Sequence, residues 1–408
     1  MGVFKLSQVG FNTEASFAEN AESPSSNTFG TIIPVNSFTP TLEQERIRDG
    51  AFQARSNVEA LGHLGPRSAS LEITVYWIGH QTTAAGALSA TWLQNLLGYG
   101  LGGASSAQVG AATTGAGSAT SLVTSNATFV RGGIVRLGVK GDARGDGQPG
   151  AIASVSGGTA TMLTAFGAAS NGTDAVYATQ LAYPDESTLA SLTTLRFLVS
   201  HATTGAQYHL MGGQLAGISF NLPIGGLPSI TLRYTFAYWQ RAATTFPSAT
   251  ALSSDYCAPV TGGSLYYQSV GTTTRATLTP SSVNFSVDVG LAPIPGPGGA
   301  GTYQSITGWV RTMSKPRLTM TCPWATAPET LFDLANGSYT NKHILFSTNA
   351  VDGRAVGFYM PNAFQVGNRP SAAVNENEQD YQTLDFVGTD GTDTTTELTK
   401  SAFRLWAG

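Results

Sequence analysis

The chain has 408 residues, of which 41% are hydrophobic and only 11% charged, with 48 glycines and a formal net charge of −4. This length predicts two domains, and the scarcity of Lys and Arg excludes a surface that grips nucleic acid through its phosphates. The mixture of Gly, Ser, Thr and Ala favours strands and turns over a helical bundle.

The stretch from Ile73 to Val130 contains no Asp, Glu, Lys or Arg, which raises the question of a membrane span. Gln94, Asn95 and many glycines interrupt it, so it holds no run of about 20 mostly apolar residues. The N-terminal Met1–Ser7 lacks the basic-then-apolar order of a signal peptide. We therefore expect a soluble and unprocessed chain.

Four segments alternate apolar and polar residues. They are Leu71–Trp77, Ser229–Tyr238, Val283–Val289 and Leu318–Cys322. This period of two predicts strands with one buried face, and their spacing favours hairpins and meanders over βαβ units. The sequence therefore predicts an all-β fold, a β-sandwich or barrel with short flanking helices.

Two short helices are predicted, each just after one of these strands. Thr91–Gly98 has apolar residues at the spacing of a helix that ends at Gly98. Thr326–Glu329 fits a capping box with Pro328 in the tolerant first turn, and Asn336–Gly337 supplies the C-terminal stop.

The order of these elements repeats in the two halves of the chain. Each half has a Pro-containing turn, a strand, a short helix and then a hairpin with a closing strand. The first-half hairpin runs through Leu195–Val199, Tyr208–Leu210 and Leu215–Pro223 and ends in the strand from Ile230. The second-half hairpin runs through Ile344–Ser347 and Ala355–Pro361 and ends in Tyr381–Val387. We predict a duplicated domain, with copy one over residues 1–245 and copy two over 246–408, divided near the linker-like stretch Ala242–Ser254.

Two regions fall outside the repeat. An insertion at about residues 100–173 of copy one comprises a Gly/Ala/Ser/Thr-rich stretch, Gly100–Asn126, and a loop-rich block, Gly141–Thr173. Such a composition is compatible with a flexible projection or with an ordered surface patch held by neighbours. Gly290–Tyr303, with three prolines among glycines, predicts a long loop between strands.

Candidate metal sites are weak. Asp142–Gly147 contains Arg-Gly-Asp and two carboxylates, but it lacks the spacing and the closing Glu of an EF-hand loop. The five histidines are scattered, which favours structural roles over zinc binding. They are His63, His80, His201, His209 and His343. Cys257 and Cys322 have no metal or disulfide spacing and are expected to act as small buried hydrophobes.

Candidate catalytic groups are no stronger. Asp185 and Glu186, with Asp174 nearby, suggest a glycosidase pair, but adjacent acids at the start of a short segment more often favour a helix N-terminus. The chain has no serine-hydrolase elbow and no phosphate-binding loop. We therefore predict a protein that is not an enzyme, with no catalytic, cofactor or metal-binding residues.

The second half contains, in order, Trp324, a predicted helix through Leu331–Leu334, a strand pair around Val356–Ala363, then Gln382–Val387 and Ser401–Leu405. This pattern resembles the major tail protein, or tail tube protein, of siphophages. The first half is similar in element order, through Trp92–Leu97 and Gly212–Trp239. The insertion from Gly100 departs from a minimal tube domain.

The resemblance implies a structural role in the virion. Tube domains are β-sandwiches with a flanking helix, and six of them form a ring whose strands join around a lumen. Two copies in one chain imply a pseudo-sixfold homotrimer, since a closed ring fixes how many domains fit. Stacking contacts are expected at Asn36–Pro66 in copy one and Leu291–Ser305 in copy two, and neutral or acidic residues are expected along the lumen.

The resemblance also implies partners and a location. The chain would bind itself, a tape measure protein, a tail terminator and distal tail proteins, while DNA would pass without specific binding during ejection. It would assemble in the host cytoplasm and end in a flexible, noncontractile tail. Three alternatives remain open, namely a phage capsid or decoration protein, an outer-membrane-associated β-protein and a carbohydrate-active β-protein.

Overall fold

A computed structural model of the chain describes residues 8–19, 28–47, 63–77, 92–105, 111–112, 118–123, 129–137, 148–164, 166, 175–177, 179–187, 193–200, 206–222, 226–244, 263–296, 305–323, 340–348, 355–366 and 381–408. Strands dominate these residues, and every strand pair among them is antiparallel. The predicted all-β fold is confirmed.

The first part of the chain begins with four strands and a helix. These are β1 (Gln8–Thr13), β2 (Thr31–Ile33), β3 (Ser37–Ile47), β4 (His63–Tyr76) and α1 (Trp92–Leu101). β4 contains the predicted strand from Leu71, whose side chains alternate between buried and exposed positions. The predicted helix is confirmed, but it continues past Gly98 to Leu101.

The next elements belong mainly to the insertion. They are β5 (Gly102–Ser105), β6 (Ala111–Ala112), β7 (Ser121–Val123), β8 (Ile134–Leu137), β9 (Pro149–Ser156), β10 (Thr159–Met162), β11 (Ala175–Tyr177) and β12 (Gln180–Pro184). Six of them form a separate sheet in the order β6-β11-β8-β9-β10-β7. The sheet has a core of its own, which includes Leu122, Ile152, Met162 and Phe166.

Three long strands complete the first part. These are β13 (Leu195–Ser200), β14 (Gln207–Leu222) and β15 (Ser229–Arg241). Together with β1 to β4 they form what we call the first strand set, paired in the order β2-β1-β13-β14-β15-β4-β3. The predicted segments Tyr208–Leu210 and Leu215–Pro223 belong to one continuous strand, β14.

The last part of the chain supplies seven more strands, the second strand set. These are β16 (Gly263–Ser269), β17 (Arg275–Leu278), β18 (Ser282–Pro295), β19 (Ile306–Pro323), β20 (Lys342–Thr348), β21 (Val356–Val366) and β22 (Tyr381–Gly388). They pair in the order β17-β16-β20-β21-β22-β19-β18. A short helix α2 (Glu397–Lys400) and β23 (Arg404–Ala407) follow, and β23 pairs with β21 and β12.

The two strand sets share their chain order and their pairings. Register agrees as well: Val9 lies opposite Val199 and Ile33, and Leu265 lies opposite Phe346 and Leu278. The irregularities match as well. The β3–β4 pairing shifts register after Gln44, and the β18–β19 pairing shifts register after Val289. These pairings agree with a duplicated unit, while the predicted boundary near residue 245 lies at the edge of a stretch outside the described residues.

One hydrophobic core runs through both strand sets. Phe285 of β18 is fully buried and stacks on Phe358 of β21, with ring centroids 4.3 Å apart. It also contacts Phe220 of β14 in the first set, at 5.7 Å. Because Phe285 and Phe358 belong to strands that do not pair, the sheet must curl until its apolar face closes on itself.

The insertion packs on the second strand set. Ile134 and Ala151 belong to the same buried cluster as Leu345, Tyr359 and Trp406. Of the two possibilities left open by composition, the described part of the insertion is an ordered patch held by a neighbour. Its strands escaped prediction because they are short and lack a long apolar–polar alternation.

Two further expectations have definite outcomes. The predicted loop Gly290–Tyr303 is partly wrong, since β18 continues to Pro295 and pairs Pro293 with Trp309. Proline is tolerated there because this part of β18 pairs on one side only among the described residues. The helix predicted after Thr326 lies outside the described residues.

Candidate functional site

The candidate metal and catalytic residues that the structure describes do not converge. Among the described residues there is no group of three or more His, Cys, Asp and Glu side chains placed to hold a metal ion. Asp142–Gly147, Asp174, His80, His201 and Cys257 lie outside the described residues.

The two buried histidines belong to different strand sets. His209 lies on β14 and His343 on β20, and desolvation lowers the pKa of each to about 4, so both are neutral at physiological pH. His343 Nδ1 lies 3.1 Å from the hydroxyl of Tyr359. Their burial favours structural roles, as the sequence predicts, and His63 starts β4, apart from both in the pairing order.

The adjacent acids and the described cysteine make structural contacts. Asp185 Oδ1 accepts hydrogen bonds from the backbone N and the hydroxyl of Ser187, at 2.9 and 2.6 Å. Glu186 forms an ion pair with Lys400 of α2. Cys322 is buried in the main core, and burial raises the pKa of its thiol to about 11.

The strongest candidate for a functional feature is the junction between the two strand sets. Gly217–Leu222 of β14 pairs with Val283–Asp288 of β18, so the sheet of the first set continues directly into the second. This pairing covers the edge of β18 and leaves Val283 and Phe285 at 6% exposure or less. The first set thus offers a strand edge that fits the β18 edge of the second.

The same edge is open in the first set. β3 holds the position of β18, yet among the described residues it pairs only with β4. Phe38 and Leu42, which match Val283 and Val287 in register, are only half-buried. An edge with partly exposed apolar side chains is a site for strand addition, although Pro40 removes one N–H from it.

The outer face of the joined sheet carries a compensated row of charges. Glu72 of β4 lies opposite Arg233 of β15, and Asp288 of β18 lies opposite Lys315 of β19. Gly217 of β14 lies between the two pairs, opposite Arg233 on one side and Asp288 on the other. A side chain at Gly217 would place its Cβ 2.5 Å from Arg233 Nη2, so the arginine side chain lies over the glycine. Arg233 and Lys315 thus each have an acid at a neighbouring position. Arg317, exposed on the same face of β19, lies opposite Ser286, two residues from Asp288.

No protein-family model and no curated protein matches this chain.

A projecting hairpin from the second set reaches back to the first. We call it the arm, formed by Leu291–Pro295 of β18 and Ile306–Arg311 of β19. The indole Nε1 of Trp309 donates a hydrogen bond to the carbonyl of Gly212 on β14, at 2.7 Å. Arg311 Nη2 donates to the carbonyl of Gly100 in α1. Desolvation lowers the pKa of Arg311 to about 10, so it stays cationic at neutral pH.

A second set of contacts holds the insertion. Arg404 of β23 is fully buried and donates from Nη1 to the carbonyl of Gly132, at 2.7 Å, and from Nε to that of Leu398, at 2.8 Å. Arg131 beside Gly132 forms an exposed ion pair with Asp393, at 2.7 Å. These contacts tie the turn before β8 to α2 and β23.

Sequence reasoning missed the arm and the insertion contacts. The signals that were available are a Trp and an Arg two residues apart beside a Pro-rich segment, and an Arg inside the apolar run Phe403–Ala407. Neither signal says which distant carbonyl the side chain meets.

No described helix is long and apolar enough to cross a lipid bilayer.

Proposed function

We propose that this chain is the structural subunit of a bacteriophage tail tube, in which three chains close a pseudo-sixfold ring around a conduit for DNA ejection. The observation that carries the proposal is the β14–β18 junction inside the chain combined with the open β3 edge. The proposal treats residues 1–245 and 246–408 as two copies of one tube domain. It makes the protein a non-enzymatic component of a siphovirus virion.

The junction supplies a rule for assembly. If β21 of the second set pairs with β3 of the next chain, as β14 pairs with β18, the sheet extends from chain to chain. Repeating one such contact gives a closed ring or an open helix, depending on the rotation per step. The number six comes from the resemblance to tail tube proteins, and the two strand sets per chain turn it into three chains.

The polar face of the joined sheet fits a lumen. DNA is held by clusters of Lys and Arg that release counterions from its phosphates. Here Arg233 and Lys315 each have an acid at a neighbouring position, Glu72 or Asp288. Such a wall offers passing DNA little net positive charge, in line with the neutral or acidic lumen that the resemblance implies.

The arm fits a stacking contact between rings. Ile294 and Val310 on its outer side are 41% and 51% exposed. Both lie in or beside the segment Leu291–Ser305 that the resemblance nominates for stacking, and the matching hairpin of the first set lies within Asn36–Pro66. Tape measure, terminator and distal tail proteins would then bind at the ends of the stacked tube.

The test is electron microscopy of the purified protein over a range of concentrations. We expect rings or tubes with three chains per layer. Leu42→Lys should abolish them while leaving the chain folded, because a half-buried Lys can extend to water in the free chain but not under an added strand. Thr41→Lys, on the exposed face of the same strand, is the matched control and should still assemble.

A wild-type chain that stays monomeric at high concentration would contradict the proposal. Icosahedral particles would favour the capsid or decoration alternative instead. Equal assembly of the Leu42→Lys and Thr41→Lys variants would show that β3 is not the joining edge.

A further inference from the structure

The arm makes two specific contacts across the junction, and their geometry differs from ordinary sheet pairing. The register shift between Val289 and Leu291 lies at the base of the arm, where an extra residue bends the paired strands. Beyond it, Pro293–Trp309 and Leu291–Arg311 are facing pairs on one side of the arm. That side faces β14 and α1, because Trp309 donates a hydrogen bond to Gly212 of β14 and Arg311 donates one to Gly100 of α1.

Trp309 binds the carbonyl of Gly212, a residue whose N–H is also held by a hydrogen bond. Gly212 has a φ of +66°, a conformation that favours glycine. Its N–H donates to both carboxylate oxygens of Glu14, at 3.0 and 3.1 Å, while its carbonyl accepts from Trp309. Gly212 is thus bound through both its N–H and its carbonyl, so the hydrogen bond from Trp309 fixes the position of the arm relative to β14.

Arg311 binds the C-terminal end of α1. The last turn of this helix contains no basic residue, and the carbonyls at a helix C-terminus carry partial negative charge. Arg311 is 7% exposed and donates to Gly100, where α1 packs so tightly on β14 that a Cβ would lie 2.7 Å from Leu215 Cδ2. Arg311 of the second set thus places a cation at the C-terminal end of α1, which packs on β14 of the first set.

The corresponding hairpin of the first set lacks both groups. Arg46 pairs with Leu64 just beyond the register shift after Gln44, as Leu291 pairs with Arg311 beyond the shift after Val289. Leu64 therefore holds the position of Arg311, and the residue two places before it in the sequence is Gly62, not a tryptophan. Leucine and glycine side chains cannot donate these hydrogen bonds.

We infer that Trp309 and Arg311 are positioning residues that set the angle between the two strand sets, and thereby the number of sets that close a ring. This inference rests on the proposed function. Because the pair acts only within a chain, the ring has two kinds of junction. One is already formed within each chain and the other forms between chains, so the chain is the assembling unit, and a ring of six strand sets has threefold symmetry.

The experiment compares three variants with the wild-type full chain. Trp309→Phe keeps an aromatic side chain but removes the indole N–H. Arg311→Met keeps a side chain of similar length but removes the charge, and Arg311→Lys keeps the charge but loses the planar guanidinium donor. Arg317→Met is the control, since Arg317 is an exposed arginine on the same strand, β19. Far-ultraviolet circular dichroism establishes folding, and electron microscopy with native mass spectrometry counts chains per ring.

We expect folded variants whose rings include open arcs and closed forms with other chain numbers. The concentration at half-assembly should rise by roughly tenfold for Trp309→Phe and Arg311→Met, because only the fraction of chains with the correct angle can add. Arg311→Lys should fall between these variants and the wild type. Arg317→Met should match the wild type in both measurements.

Two results would overturn the inference, and they can be told apart. If the wild type and all three variants form identical three-chain rings at the same concentration, the positioning role is refuted and the tube proposal stands. If the wild type itself forms no rings, both are refuted. Should Arg311→Met fail to fold, Trp309→Phe decides alone, since it changes one donor and little volume.

Discussion

Replacing Phe285 by alanine is expected to destabilise both strand sets together. Phe285 is fully buried, and its ring lies 4.3, 5.7 and 5.9 Å from those of Phe358, Phe220 and Phe403. Removing a buried Phe costs about 3 to 5 kcal/mol through lost transfer energy and the cavity that remains. The upper half of that range applies here, because three aromatic neighbours lose contacts of about 0.5 to 1.5 kcal/mol each.

Guanidinium denaturation followed by circular dichroism measures this loss, and hydrogen exchange locates it. Protection should fall both in β14 of the first set and in β19 of the second, because Phe285 joins Phe220 to Phe358 in one core. Phe364→Ala, at a half-buried position on β21, is the control and should cost clearly less. A loss below about 1 kcal/mol, or a loss of protection confined to β19, would refute the argument that one core spans both sets.

Two further changes test other parts of the structure. Arg404→Met should lower the free energy of unfolding by about 3 kcal/mol or more, because the buried carbonyls of Gly132 and Leu398 lose a charged donor. Limited proteolysis should then cut the insertion sooner than in the wild type. Arg131→Met breaks only an exposed ion pair and should change the free energy of unfolding by less than about 1 kcal/mol. Burial raises the pKa of Glu14 from 4.5 to about 7, so the native state binds more protons than the unfolded state between these values. The free energy of unfolding should therefore fall by about 3 kcal/mol as pH rises through this window. Urea titrations at pH 4.5 to 8 should show that Glu14→Gln removes this dependence on pH. An equal dependence on pH in the wild type and the variant would contradict its assignment to Glu14.

The insertion shows the limit of composition as a guide. Gly, Ala, Ser and Thr between residues 100 and 173 are equally compatible with a projection and with a packed patch. The outcome depends on partners outside the segment, such as Tyr359 and Trp406, which share a buried cluster with Ile134 and Ala151. Short strands without a sustained alternation carry no local signal that would reveal this packing.

The helix α1 shows a similar limit on a smaller scale. Gly98 predicts a stop, because glycine inside a helix costs about 1 kcal/mol relative to alanine. The helix nevertheless continues to Leu101, and Gly100 lets it approach Leu215 so closely that any side chain there would collide. Tertiary packing outweighs the local preference at this point.

The sequence by itself determined the longer strands with sustained alternation and the repeated order of elements in the two halves. Alternation in segments such as Leu71–Trp77 and Val283–Val289 fixes which side chains share a face, because successive residues of a strand point to opposite sides. Only the tertiary structure decided that β14 pairs with β18, that β3 pairs with β4 alone among the described residues, and that Trp309 and Arg311 bind distant carbonyls. These contacts join residues far apart in the chain, and no local period encodes which distant groups meet once the sheet curls.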